Sequence, residues 1–401
     1  MKQVGFGEQV LPRLLLLACA QFLFGFCSLA VVALLSGMAL DLNESLEGLA
    51  WLVAHFSLAF AIGAIVGPSW SRSRAPRTVL VVGLLGLTMG ALALALAPTV
   101  SWASLARWIQ GLSAALIGPT TSVFAIALAP RELRGRALGM VFGGTMVAIV
   151  LGLPLASWLS ERIPWRWIFG LVALASLVLA LAVCLWLPRA LKSTGGKEAQ
   201  EDMLRTALQP AVGFALLTAL LRMTAQFACY TLIGMLAVIH FGLPTSAVAA
   251  VLLAYGVSGL VGNQAAGYWV DRYGVASVLR WCGIAVVASY AGLALLSADS
   301  AVALIWIAIL CWGFASVMFA TPQQVFLAEL PAPSAGSVAL SLNAAASYAG
   351  MALGSGAASL IAVGFGLGAL VGFSLLLSLL SIVTSEISLW FSRRHPSAVR
   401  D

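Results

Sequence analysis

VLVVGLLGLTMGALALALA, residues 79 to 97, contains no charged side chain. As an α-helix this stretch would be about 28 Å long, close to the thickness of a bilayer's hydrocarbon core. Its apolar residues run continuously where a barrel strand would alternate, and backbone in lipid must satisfy its own hydrogen bonds, so the stretch reads as a spanning helix. The rest of the chain repeats the pattern. Of 401 residues, 62% are hydrophobic and 9% charged, and the mean hydropathy is +1.04. That is more apolar surface than a water-soluble core hides, so the chain is an all-α membrane protein.

Twelve spans are expected, at 14 to 37, 48 to 70, 78 to 97, 102 to 128, 137 to 159, 167 to 188, 209 to 238, 246 to 268, 278 to 297, 302 to 328, 337 to 363 and 368 to 391. The first is longer than a secretory signal core and is followed by eleven more, so it is read as helix 1, uncleaved. Of the 21 basic residues, all but Arg107, Arg162, Arg166 and Arg222 fall at one set of loops and both termini, among them Lys2, Arg13, Arg72, Arg74, Arg77, Arg131, Arg134, Arg136, Arg272 and Arg280. The opposite loops carry Asp41, Glu44, Glu47, Glu161 and Asp299. Basic residues prefer the cytoplasmic side, which places both termini in the cytoplasm. The net charge of +7 is met by an anionic inner leaflet and calls for no nucleic acid.

RALKSTGGKEAQEDMLRT, 189 to 206, is the one long hydrophilic stretch. It divides the chain into a six-helix bundle at 1–188, a cytoplasmic linker at 189–206 and a second six-helix bundle at 207–401. The halves echo each other weakly: SVFAIALAP (122 to 130) against QVFLAELP (324 to 331), and the spaced glycines of GGTMVAIVLGLP (143 to 154) against YAGMALGSG (348 to 356). Small residues at helical spacing let helices approach closely.

The six cysteines lie within spans without CxxC spacing, and the three histidines form no cluster. No metal site or cofactor is expected. HExxH, GxSxG and GxxxxGK[ST] are absent, so neither hydrolysis nor ATP-driven pumping has its usual equipment, and the chain is not expected to be an enzyme.

Several stretches together resemble the major facilitator superfamily, and within it the bacterial drug and sugar efflux group that includes arabinose efflux permeases and drug:proton antiporters. GYWVDRYG (267 to 274) resembles the superfamily's GxxxDRxG loop, and ARWIQG (106 to 111) its RxxQG element in helix 4. GLPLASWLSERIPWRWIFG (152 to 170) resembles the GxP stretch of antiporters followed by the start of helix 6. CWGFAS (311 to 316) and PSAGSVALSLN (333 to 343) resemble helices 10 and 11 of the efflux group. The resemblance implies two pseudo-symmetric six-helix bundles that alternate access to a central cavity. It also implies proton-coupled efflux of a small organic solute by a monomer in the bacterial inner membrane. An uptake symporter of the same fold is the alternative, and a transport-inactive membrane sensor a weaker one.

By resemblance, Gly267, Asp271, Arg272 and Gly274 belong to a gate, with Asp271 latching near a helix N-terminus, and so do Gly152 and Pro154. The first-half counterpart, GPSWSRSRAPR (67 to 77), has Ser71 in the acid's place and Arg74 in the second glycine's. Ser71 remains a weak helix cap.

Charge inside a span is expensive and marks function. Arg107, with Gln110 and Gly111 on its face, is assigned proton coupling or cavity charge by the resemblance, against snorkelling to the near surface. Arg222, deep in helix 7, is read as facing the cavity, against structural pairing. His55 can change charge near neutral pH and is the other coupling candidate, against a polar packing contact. Glu386 is read as interfacial, so no deep carboxylate balances the arginines. The cavity should then be electropositive and favour neutral or anionic solutes, with Arg222 the main contact. Gln21, Gln110, Gln226, Tyr230, Tyr255, Gln323, Gln324, Asn343 and Tyr348 complete a moderately polar cavity lining.

Overall fold

The computed structural model describes residues 10–71, 73–130, 133–188, 206–329 and 335–394. Twelve helices long and apolar enough to cross a membrane account for nearly all of them. They are α1 (Val10–Leu42), α2 (Leu46–Ser71), α3 (Pro76–Ala95), α4 (Val100–Leu128), α5 (Arg134–Ser160), α6 (Trp165–Trp186), α7 (Pro210–Tyr230), α8 (Val248–Tyr273), α9 (Val275–Ala294), α10 (Val302–Ala328), α11 (Ala335–Phe365) and α12 (Leu367–Arg394). The linker at 189–205 and Arg72 lie outside the described residues.

Most boundaries fall within a few residues of expectation. The exceptions have local causes. α1 runs on to Leu42 and takes in Asp41. α7 stops at Tyr230, where a turn, with the Thr231 hydroxyl 2.9 Å from that of Ser355, leads into the short helix Ile233–Met235 and a wide turn at Leu236–His240. α5 contains a wide turn at Ala148–Gly152, and α10 breaks at Met318 and Phe319. Pro154 and Pro322 have no amide hydrogen to give the carbonyl four residues back, which loosens the helix at those points.

Three pairings recur in the two sets of six. α1 packs on α5 and α7 on α11; α2 on α4 and α8 on α10; α3 on α6 and α9 on α12. The closest crossings depend on glycine. A Cβ at Gly144 of α5 would lie 2.0 Å from the carbonyl oxygen of Ala18, and one at Gly354 of α11 would lie 2.4 Å from that of Thr224. Backbone cannot yield at such distances, so Gly144→Val is expected to separate α1 from α5 and remove most folded protein from detergent extracts, measured by size-exclusion profile. A wild-type profile would show that the crossing tolerates a side chain.

The two sets meet along α2 and α11, and along the wide turn and last third of α5 against α8. Midway, the rings of Phe60 (α2) and Tyr348 (α11) stack 3.8 Å apart at 27°. Ile233–Met235 touches α1 near the end away from the termini. Towards the termini the contacts fall away: Arg134–Val147 of α5 packs on α1 and α4, and Ala320–Ala328 of α10 packs on α7, α8, α9 and α11. Among the described residues, the bundle is closed at the end opposite the termini and parted at the end that bears them.

Candidate functional site

Arg107 stands two turns inside α4, whose first turn is capped by the Thr99 hydroxyl on the Trp102 amide at 3.3 Å. It is 0% exposed. Its Nε donates to the Leu52 carbonyl of α2 at 3.0 Å, one terminal nitrogen to Cys27 O of α1 at 2.6 Å and to Gln110 Oε1 at 2.8 Å, and the other to Ser28 O at 3.1 Å. The Phe56 ring lies 4.4 Å below the guanidinium. The guanidinium therefore neither snorkels nor faces the space between the halves. It ties three helices together through carbonyls, each with a spare lone pair.

Gln21, also buried, donates to Thr121 Oγ1 of α4 at 2.9 Å and accepts from Thr145 of α5 at 3.2 Å. Thr121 and Thr145 were not picked out from the sequence, because an isolated threonine in a span carries no signal of its partner. Beside them Phe24 tilts against Tyr348 with centroids 6.4 Å apart. Phe24, Phe60 and Tyr348 thus bring α1, α2 and α11 to one aromatic cluster at the centre of the contact between halves.

In the second half, Arg222 is 5% exposed. It reaches only the Cys282 carbonyl of α9, at 3.3 Å from both terminal nitrogens, with the Phe319 ring 4.4 Å away. It points into its own helix set, which corrects the expectation that it is the main charge on the central cavity; the cation lies between α7, α9 and α10. One turn on, partly buried Gln226 donates to the Tyr255 hydroxyl at 2.8 Å. Tyr255 packs between Tyr230 and Trp312, both at 4.8 Å. Gln323 donates to Ala215 O at 2.9 Å and to Asn343 Oδ1 at 3.4 Å, so these two brace α7, α10 and α11. Gln324 is exposed near the parted end.

His55 is half-buried between Trp51 and Trp108, at 6.2 and 6.3 Å, and its Nδ1 has no hydrogen-bond partner. Trp51 in turn meets α11 at Gly356.

Asp271 sits in the last turn of α8, exposed and without an ion pair among the described residues, and so at a C-terminus and not at the helix N-terminus expected for its latch. Arg272 bonds the Tyr268 hydroxyl at 3.3 Å. Gly274 turns the chain with φ +79°, a backbone that side chains disfavour, while Gly267 meets only Thr321. Gly152 closes the wide turn of α5 over Phe22 and Phe26, and Pro154 follows it. Ser71 does not cap α3: its hydroxyl donates back to Pro68 O at 3.3 Å, and Ala75 precedes α3 without a side-chain bond. Arg74 bonds Trp70 O and lies over the Trp70 ring, and Arg77 serves the last carbonyls of α6 at Leu187 and Cys184. At the closed end, Asp41 accepts from Trp165 Nε1 at 2.9 Å and pairs with Arg166, which also bonds Ala97 O. Three helix ends are fastened there, a cluster visible in the sequence only as scattered loop charges. No group of three metal-ligating side chains occurs among the described residues.

Known proteins resemble this chain in sequence and in fold. The model of the Major Facilitator Superfamily matches residues 17–355. The inner membrane transport protein YdhP of Escherichia coli strain K12 is 27% identical over 92% of this chain and 95% of its own. The chloramphenicol efflux pump Rv0191 of Mycobacterium tuberculosis strain H37Rv is 28% identical over 68% of this chain and 66% of its own. The solved D-xylose-proton symporter superposes with a TM-score of 0.74 at 16% identity, covering 94% of this chain and 97% of that one. The chain belongs to the Major Facilitator Superfamily and is a membrane transporter.

Proposed function

We propose that this transporter is a proton-coupled exporter of a small, uncharged organic solute with both hydroxyl-bearing and apolar parts. The observation that carries this reading is the placement of charge. Both deep arginines are turned into their own helix sets, while Phe24, Phe60 and Tyr348 stand where α1, α2 and α11 converge. A site of aromatic rings and a phenol, with no carboxylate or guanidinium presented among the described residues, suits a neutral ligand better than a lipophilic cation. Efflux is supported by the relative named for chloramphenicol export. The basic residues at the end bearing the termini support a cytoplasmic position for that end in a bacterial inner membrane, with this arrangement open to the inside. The protein acts as a monomer of two six-helix bundles, 1–188 and 207–401, joined by the linker 189–206.

Everted membrane vesicles energised by a pH gradient test the reading. Labelled chloramphenicol, a labelled sugar acid and a quaternary ammonium dye are offered separately. Gradient-dependent accumulation of the uncharged compound, at several times the rate of the dye, is expected. Faster accumulation of the dye would overturn the neutral-cargo reading, and loss of solute along the gradient would establish the symporter.

A further inference from the structure

Among the described carboxylates, Glu386 alone lies more than one turn inside a spanning helix. Asp41, Glu47 and Asp271 occupy first or last turns, and Glu44, Glu161, Asp299 and Glu329 lie between helices. Glu386 accepts from Arg280 of α9 twice, Nε to Oε1 at 2.7 Å and a terminal nitrogen to Oε2 at 2.8 Å. Behind this fork is a cavity of about 10 Å³, room for one water, whose walls include Thr218, Ser381, Ser385, Phe319 and, at the inner side, Arg222. A second cavity of about 10 Å³ continues past Arg222 between Gln226, Ser316 and Ser378. Ser316 is 4% exposed, and its Oγ lies beside the Tyr255 hydroxyl without reaching hydrogen-bond geometry. Arg222 itself has donors to spare and no carboxylate in contact. A buried polar group left in that condition is costly, and water in the two cavities would satisfy it.

The geometry points to Glu386, whose side chain is 41% exposed, as a site of reversible proton binding from which a polar track runs inwards past Arg222, coupled to the packing of α7, α9 and α10 on α12. It rests on the proton coupling proposed above. The groups facing the carboxylate are Arg280 from α9, Thr218 and Arg222 from α7, Phe319 from α10, and Ser385, Ser381 and Arg393 from α12 itself. While Arg280 holds the fork, Glu386 is charged. When the fork opens, one Oε takes a proton from water, an O–H bond forms, and the proton leaves by the reverse step. Each uptake adds one positive charge next to the buried Arg222, which lies under the ring of Phe319 at the break in α10. That break is the point where the cluster meets a helix able to change shape.

The test needs no solute. Full-length protein in lipid nanodiscs carries spin labels at Gly139→Cys of α5 and Ala328→Cys of α10, both exposed at the parted end, with exposed Cys19 and Cys311 changed to serine. The distance distribution between labels is expected to shift between pH 8 and about pH 4, as the pH is taken into the ordinary carboxylate range. Glu386→Gln should hold the low-pH distribution at both values, and His55→Gln should keep the shift. Absence of the shift in the parent protein, its persistence in Glu386→Gln or its loss in His55→Gln would each overturn the proposal. Gradient-driven export can fail while this response holds, so the two readings are separable.

Discussion

Arg107→Ala is expected to abolish transport and to lower the stability of the folded protein by about 3 kcal/mol, the scale of a large buried side chain deleted without collapse of the space it leaves. The guanidinium is the common donor to carbonyls of α1 and α2 from α4, and alanine leaves those helices without their shared anchor. Removing an unpaired buried cation also relieves its desolvation, so the net loss is smaller than the sum of its bonds. Arg107→Lys keeps the charge but has a single head for acceptors on two helices, and should fold while carrying no more than about a tenth of the flux, a barrier change of about 1.4 kcal/mol. Thermal melting in detergent and initial efflux rates decide the matter. Wild-type melting and flux in Arg107→Ala would show that the side chain is dispensable.

Asp271→Asn is expected to reduce flux about tenfold with no change in melting temperature, and Ser71→Ala to reduce it by less than half. Asp271 is exposed and has no ion pair among the described residues, so neutralising it takes no such pair from this arrangement. Its charge can act only when the parted ends come together and it meets the basic first turn of α5, with Arg134 and Arg136. A partner gained in one state alone shifts the balance between states by its own worth. Ser71 is occupied with its own helix through Pro68 O and offers nothing across the gap. Flux at matched protein levels is the measurement, and equal losses at both positions would remove the asymmetry.

The span pattern could be read from composition because lipid imposes one requirement on every segment, an apolar helix of bilayer length. Prolines 154 and 322 were also plain to see. What they do locally, a wide turn in α5 and a break in α10, depends on neighbours that accept the freed carbonyls. The site was less legible, since a polar residue in a helix has the same one-letter code whichever face it occupies. Arg107 and Gln110 at i and i+3 gave a correct local pair, but Leu52, Cys27 and Ser28 offer backbone acceptors, which leave no trace in sequence. Depth alone, the only measure the sequence offers, points Arg222 to the cavity, because its neighbours Cys282 and Phe319 lie 60 and 97 positions further along the chain. Phe24 and Phe60 are ordinary apolar letters until the fold stacks them together and brings Tyr348 against Phe60.

The ring stack of Phe60 on Tyr348 has a mechanical corollary. It sits where α2 and α11 cross, and from it the arms of these helices run about 16 to 20 Å towards the end that bears the termini. Treated as a fulcrum, it converts each degree of rotation into roughly 0.3 Å of travel at the tips of those arms. A swing of about ten degrees therefore moves the tips by about the width of a water molecule while the rings slide over each other by far less. Glycine crossings such as that of Gly144 on Ala18 leave the arms no slack within each half. On such a lever the clearance offered to a solute grows with its distance from the Phe60–Tyr348 stack.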